Sequence, residues 1–194
     1  MNWLKNKSHL TLFVLAISCT NDFNVKVESS NSVQLELLKK GNLAASEVFK
    51  VLSSELSSQM ANGKEKAIDY CNVHALPLTD SISKRLNVEV KRTSNKLRNQ
   101  VNRATDIEKQ ILAQFEKSSL EKPAKSIIQQ NDGNQFFFKP IYTQPMCLTC
   151  HGSKEQIGGD LYSDVIEALY PKDKAINFKL GELRGMWSIK FLNN

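Results

Sequence analysis

Apolar residues recur at helical spacing through the first part of the chain. Over residues 32–60 they fall on one face of a 3.6-residue period, which predicts a long amphipathic helix. Gly41 lies inside this pattern and is expected to kink or break the helix, and Gly63 is expected to end it. A second helix is predicted from residue 64 to about residue 75, and Pro77 is expected to interrupt it.

The second half of the chain changes largely to a period of two residues. Four strands are predicted. The first begins at Val88, and the other three cover residues 125–130, 135–141 and 183–192. Asn131-Asp132-Gly133-Asn134 joins the second and third strands and is typical of a hairpin turn. One further helix is predicted over residues 106–117. Helices followed by strands that are near in sequence indicate an α+β domain with an antiparallel sheet.

The N-terminus has the pattern of a signal peptide over residues 1–18. Two lysines precede an uncharged apolar run, which is too short to span a bilayer as a helix. Ser18-Cys19 resembles the site where bacterial lipoproteins are cleaved and acylated, so Cys19 is the expected lipid anchor on the periplasmic side of a membrane. An ordinary secretory signal followed by an incidental cysteine fits the same residues.

Beyond the signal peptide, residues 19–31 are polar and are predicted as a tether, and residues 32–194 as one domain. The chain has 26 Lys and Arg residues against 20 acidic residues, a net charge of +6. This excess is modest, and export separates the protein from nucleic acid, so no nucleic-acid partner is expected.

Cys147-Leu148-Thr149-Cys150-His151 carries the most specific chemistry in the sequence. Covalent haem needs two thiols that add across the porphyrin vinyl groups, and an imidazole beside them for the iron. This spacing supplies all three groups from one turn. We therefore expect one covalent haem c, attached through Cys147 and Cys150, with His151 as an axial iron ligand.

Three other interpretations of this motif carry less weight. A redox-active cysteine pair does not need a histidine at the next position, and a zinc site needs about four ligands, for which no second pair of cysteines or histidines exists. A disulfide between Cys147 and Cys150 would close a small, strained loop.

The second axial ligand is left open by the residues alone. His74 is the only other histidine after the signal peptide, and Cys71 is an unpaired thiol three residues before it on the predicted second helix. Met60 and Met186 are further candidates. A lone buried cysteine is as often a small apolar residue as a ligand.

Four segments, taken together, resemble a family of exported single-haem proteins with a PAS-like fold and histidine/cysteine haem ligation. They span roughly residues 35–192 in the order of the family. The matching segments are Ala67-Ile68-Asp69-Tyr70-Cys71, residues 92–99, residues 138–141 leading to the Cys147–His151 motif, and residues 170–173 leading to Gly181-Glu182-Leu183-Arg184-Gly185.

This resemblance implies an antiparallel sheet with flanking helices and a long N-terminal helix. It also implies that Cys71 is the distal iron ligand and His151 the proximal one, with His74 as the alternative. Glu182 stands where the family usually has aspartate, a change expected to affect loop detail more than haem attachment.

Basic residues are concentrated between residues 84 and 103, where seven stand against one acid. A haem carries two propionates, and arginine pairs with carboxylates through two parallel hydrogen bonds. Arg92 and Arg98 are therefore candidate propionate contacts, although for any single residue of this cluster a place on a solvated basic face is the more common explanation.

Thiolate ligation stabilises ferric iron, so a Cys71/His151 haem is expected to have a low reduction potential. The leading prediction is an electron carrier that serves a separate redox partner protein, and no enzyme activity is expected. The alternative is a redox or small-gas sensor, in which His74 replaces Cys71 on reduction and a separate partner receives the signal.

Overall fold

The computed structural model describes residues 22–192, with side chains from residue 31 onward. The predicted signal peptide and Cys19 lie outside the described residues. No described helix is long and apolar enough to cross a membrane.

The first helix, α1 (Asp22–Met60), is longer than the sequence pattern predicts. It begins ten residues before Ser32, so most of the predicted tether is helical. The helix continues through Gly41 without a break. A Cβ at this position would lie 2.3 Å from Cγ of Phe137, so this glycine allows the helix to approach the sheet closely.

The second helix, α2 (Lys64–Arg85), runs through Pro77 without a break, which corrects the predicted interruption. Proline removes one backbone hydrogen bond, the one to the carbonyl four residues earlier. That carbonyl belongs to Val73, which is 61% exposed, so water can satisfy it.

Four antiparallel strands form one sheet in the order β1-β4-β3-β2. They are β1 (Val88–Thr93), β2 (Ile127–Asn131), β3 (Asn134–Tyr142) and β4 (Leu183–Phe191), and their positions agree with the predicted strands to within about two residues at each end. The α+β fold with flanking helices is thus confirmed.

The two faces of the sheet have separate cores. One face packs against α1 and α2 and includes Val48, Phe137 and Ile189. The other packs under α3 (Asp106–Phe115) and includes Phe138 and Met186.

The chain between β3 and β4 forms short helical turns. These are a 3-10 turn at Pro145–Cys147, α4 (Leu148–His151), α5 (Lys154–Ile157), α6 (Gly159–Leu161), a π turn at Tyr162–Ile166 and α7 (Glu167–Leu169). Ile68 of α2 packs into this segment against Ile157, Tyr162 and Ile166. This contact docks α2 on the segment that carries the Cys-x-x-Cys-His motif.

Candidate haem site

The Cys-x-x-Cys-His motif forms a compact helical corner in which both thiols are free. Nδ1 of His151 lies 2.7 Å from the carbonyl oxygen of Ala175. A carbonyl only accepts hydrogen bonds, so Nδ1 carries the proton and Nε2 keeps its lone pair. The imidazole is therefore oriented with Nε2 as a metal-binding atom, the arrangement that second-shell carbonyls produce in metal sites.

The charge state of His151 also suits ligation. Burial lowers its pKa well below the usual value, and the neighbouring Arg184 and Arg98 lower it further, against the hydrogen bond that His151 donates to the carbonyl of Ala175. The ring is consequently neutral at physiological pH, which is the form that binds metal ions.

Cys71 is half-buried on α2, one helical turn after Ile68, the residue that packs on the segment between β3 and β4. Burial raises the pKa of the Cys71 thiol, Arg92 lowers it, Cys150 raises it and Arg98 lowers it. The groups that act on Cys71 thus belong to the attachment corner and the arginines beside it.

Arg98 fixes the corner to its surroundings. Its guanidinium pairs with Asp173 at 3.1 Å, and the side chains of both residues are almost fully buried, 13% and 1% exposed. The same Nη2 donates to the carbonyl of Cys150 at 2.7 Å. Arg98 therefore links the attachment turn to the 170–178 segment, on which Ala175 holds His151.

Two further arginines border the site. Arg92 lies over the ring of Trp187, 5.8 Å from its centroid, and burial lowers its pKa while Cys71 and Tyr170 raise it. Arg184 lies over the ring of Phe178, 5.1 Å from its centroid. Burial, followed by the charges of Arg98 and Arg92, lowers the pKa of Arg184 to about 10.

His74 is not part of this group. Its ring is exposed and stacks on Tyr70, with 4.3 Å between the ring centroids. Tyr70 in turn donates to Glu55 of α1. The sequence predicts that Cys71 and His74 share one face of α2. In the structure, His74 instead lies with Tyr70 in the groove beside α1.

The methionine candidates lie in other places. Met186 is fully buried in the core under α3, and Met60 is the last residue of α1. The phenylalanines of β3 divide between the two cores: Phe137 packs against α1, and Phe138 packs under α3 with Phe136 stacked on it.

The Tll0287-like family model matches residues 22–191. The chain belongs to this family. Among solved structures, it is similar to one titled the crystal structure of the cyanobacterial heme-protein Tll0287, with 24% sequence identity and a TM-score of 0.62. The alignment covers 82% of this chain and 96% of that one. No curated protein matches the chain. The resemblance found in the sequence is confirmed at the level of family and fold.

Within this Tll0287-like fold, sequence reasoning missed Arg184 and the partners of Arg98. The basic cluster that is visible in the sequence covers residues 84–103, and Arg184 lies about 80 residues after the end of this cluster. Its signal was the Arg-Gly pair at the start of the last strand. The role of Asp173 had no local signal, because its contact with Arg98 spans 75 residues.

Proposed function

We propose that the protein is an exported mono-haem c-type cytochrome that acts as a low-potential electron carrier, with Cys71 and His151 as axial ligands. The observation that carries this proposal is the turn on which two free thiols, Cys147 and Cys150, adjoin an imidazole oriented by the carbonyl of Ala175. The electrostatic influence of Cys150 on Cys71 supports Cys71 as the second ligand. Membership of the Tll0287-like family, which includes a structure titled a heme-protein, supports it.

The donor set fits a covalent haem. Two free thiols lie on one turn with an imidazole whose Nε2 is unprotonated. Each thiol adds its S–H across one vinyl C=C, so that a carbon–sulfur bond forms, the proton goes to the neighbouring carbon and no oxidant is required. The half-buried guanidinium groups of Arg92 and Arg184 match the anionic propionates in charge.

Thiolate ligation defines the expected electrochemistry. Cys71 as ligand donates electron density and stabilises ferric iron, which lowers the reduction potential relative to methionine/histidine cytochromes. With both axial positions occupied, the site transfers electrons and does not activate a substrate, so we propose no enzyme activity.

The proposed location and partners of the protein rest on its N-terminal sequence. We propose that residues 1–18 direct export and that acylated Cys19 anchors the protein to the periplasmic side of a bacterial membrane, where it exchanges electrons with a redox partner protein.

The sensor alternative needs a change of ligand on reduction. Its specific form, a swap from Cys71 to His74, is not favoured, since His74 is engaged with Tyr70 beside α1. A sensor that loses Cys71 on reduction and binds a small gas at the open position stays a prediction, and the same experiment addresses it.

The test is absorption and EPR spectroscopy of the haem-loaded mature chain as wild type, Cys71→Ala and His74→Ala. The carrier proposal predicts a low-spin thiolate signature in wild type and His74→Ala that disappears in Cys71→Ala, with unchanged ligation on reduction. A thiolate signature that persists in Cys71→Ala contradicts the ligand assignment. Loss of thiolate on reduction, followed by carbon monoxide binding, favours the sensor.

A further inference from the structure

Arg184 stands at an irregularity in the sheet. Between β3 and β4, Ile141 pairs with Gly185 and Tyr142 pairs with Leu183, so Arg184 has no opposite residue on β3. Such a bulge interrupts the alternation of side chains and re-aims the extra residue, and bulges are frequent beside functional sites.

The next residue keeps this bulge close to β1. A Cβ on Gly185 would lie 2.3 Å from the carbonyl oxygen of Thr93, a contact that only glycine permits. The two strands therefore meet tightly where Arg184 leaves the sheet. The bulge at Arg184 and the close contact of Gly185 with β1 together set the direction in which the Arg184 side chain leaves the sheet.

That direction leads to the His151 side of the candidate haem site. The Arg184 guanidinium lies 5.1 Å from the centroid of Phe178, and the Phe178 and His151 rings form a T-shaped pair at a centroid distance of 6.3 Å. Nη1 donates to the carbonyl of Lys96 at 3.2 Å. Aromatic and backbone contacts hold the group, and no carboxylate of the described residues forms an ion pair with it.

The charges around the site do not balance. Ion pairs among residues 31–192 include Arg98 with Asp173, but neither Arg92 nor Arg184. Nε of Arg184 is buried and has no hydrogen-bond partner in this part of the chain. A guanidinium whose Nε–H is buried without an acceptor is costly unless an acceptor group, such as an anion, pairs with it.

We propose that Arg184 binds a propionate carboxylate of the haem, while Arg98 serves to position the attachment turn. This inference rests on the proposed function. It replaces Arg98 with Arg184 among the candidate propionate residues and leaves Arg92 as the other. The carboxylate supplies acceptors for the free Nε–H of Arg184 and the matching negative charge.

The test compares the haem-loaded full chain as wild type, Arg184→Gln, Arg184→Lys and the control Arg85→Gln. Arg85 is also paired in the fold, but with Glu47 at an exposed site. Two quantities are measured: the propionate bending band in resonance Raman spectra, which reports hydrogen bonding to the carboxylate, and the reduction potential of the haem.

We expect the propionate band to shift in both Arg184 variants, because lysine cannot reproduce the paired hydrogen bonds of arginine. We expect the reduction potential to fall in Arg184→Gln, since a lost cation stabilises the ferric form, and to stay near the wild-type value in Arg184→Lys. Arg85→Gln should change neither quantity.

A propionate band that is unchanged in both Arg184 variants overturns the inference. If Arg184→Gln does not accumulate, Arg184→Lys decides alone, because it keeps the charge and removes only the fork of donors. A wild-type chain that carries no haem contradicts the proposed function itself and the inference with it.

Discussion

Arg98 and Arg184 lie far apart in the sequence but beside the same site, and their surroundings assign them different roles. Arg98 has a buried carboxylate partner and donates to the carbonyl of Cys150 in the motif turn. Among the described residues, Arg184 contacts the Phe178 ring and one backbone carbonyl and forms no ion pair. A buried pair such as Arg98–Asp173 affects stability chiefly through what remains when one partner is removed.

Arg98→Gln is therefore expected to destabilise the fold by about 3 kcal/mol, because Asp173 is left as a buried charge. Urea unfolding followed by circular dichroism measures this change. Arg85→Gln is the matched control: its pair with Glu47 is exposed, and its loss should cost about 0.5 kcal/mol. Equal effects in the two variants would show that Arg98 does not hold the turn.

Glu108 provides a prediction for pH. Burial raises its pKa, but hydrogen bonds from Lys91, Thr105 and Ser188 outweigh burial, so the pKa lies below the ordinary value of 4.5. A depressed folded-state pKa contributes stability above the unfolded-state pKa, and this stability is lost as the pH falls through the folded-state pKa.

Glu108→Gln should thus lower the free energy of unfolding at pH 7 by about 1–3 kcal/mol, the typical contribution of hydrogen bonds to a charged group. The difference between wild type and variant should shrink below about pH 4.5. Urea titrations at pH 7, 5 and 3.5 measure it. A difference that is constant over this range would contradict the assignment.

At the scale of elements, the approach of α1 to the sheet depends on one missing side chain. Gly41 lies against the ring of Phe137, and both residues are buried in the core between α1 and the sheet. Glycine disfavours helix by roughly 1 kcal/mol relative to alanine. Its presence here indicates that close packing outweighs helix propensity.

Gly41→Ala is expected to destabilise the protein by about 1–3 kcal/mol, because overpacking against Phe137 exceeds the gain in helix propensity. Thermal unfolding measures the change. In a Phe137→Leu background, Gly41→Ala should cost less stability than it does in the wild type, since the smaller leucine side chain makes room. A stabilised Gly41→Ala variant would show that the helix does not press on this ring.

The elements also show where sequence reasoning succeeds. The period of two residues predicts all four strands, because the apolar side chains on the sheet pack into the two cores on its faces. Local signals failed where tertiary contacts decide: Pro77 stays inside α2, and Gly41 stays inside α1. The candidate site divides in the same way. The Cys147–His151 motif is local in sequence and can be identified from it, whereas the position of Arg184 depends on a register shift between distant strands.

At the scale of the whole molecule, the sheet and α2 carry groups to a corner formed by the segment between β3 and β4. Cys71 comes from α2, Arg92 from β1, Arg184 from β4 and His151 from α4. The convergence of these four elements would let the proposed haem be held by Cys71 and His151, two residues that lie 80 positions apart in the sequence.

The central claim is that this chain binds one haem covalently through Cys147 and Cys150. The most direct measurement is mass spectrometry of the denatured protein after expression with c-type haem maturation machinery, for wild type and for the Cys147→Ser/Cys150→Ser variant. If Cys147 and Cys150 attach the haem, the wild-type chain gains the mass of one haem and the variant gains none. A wild-type chain without bound haem under denaturing conditions would contradict it.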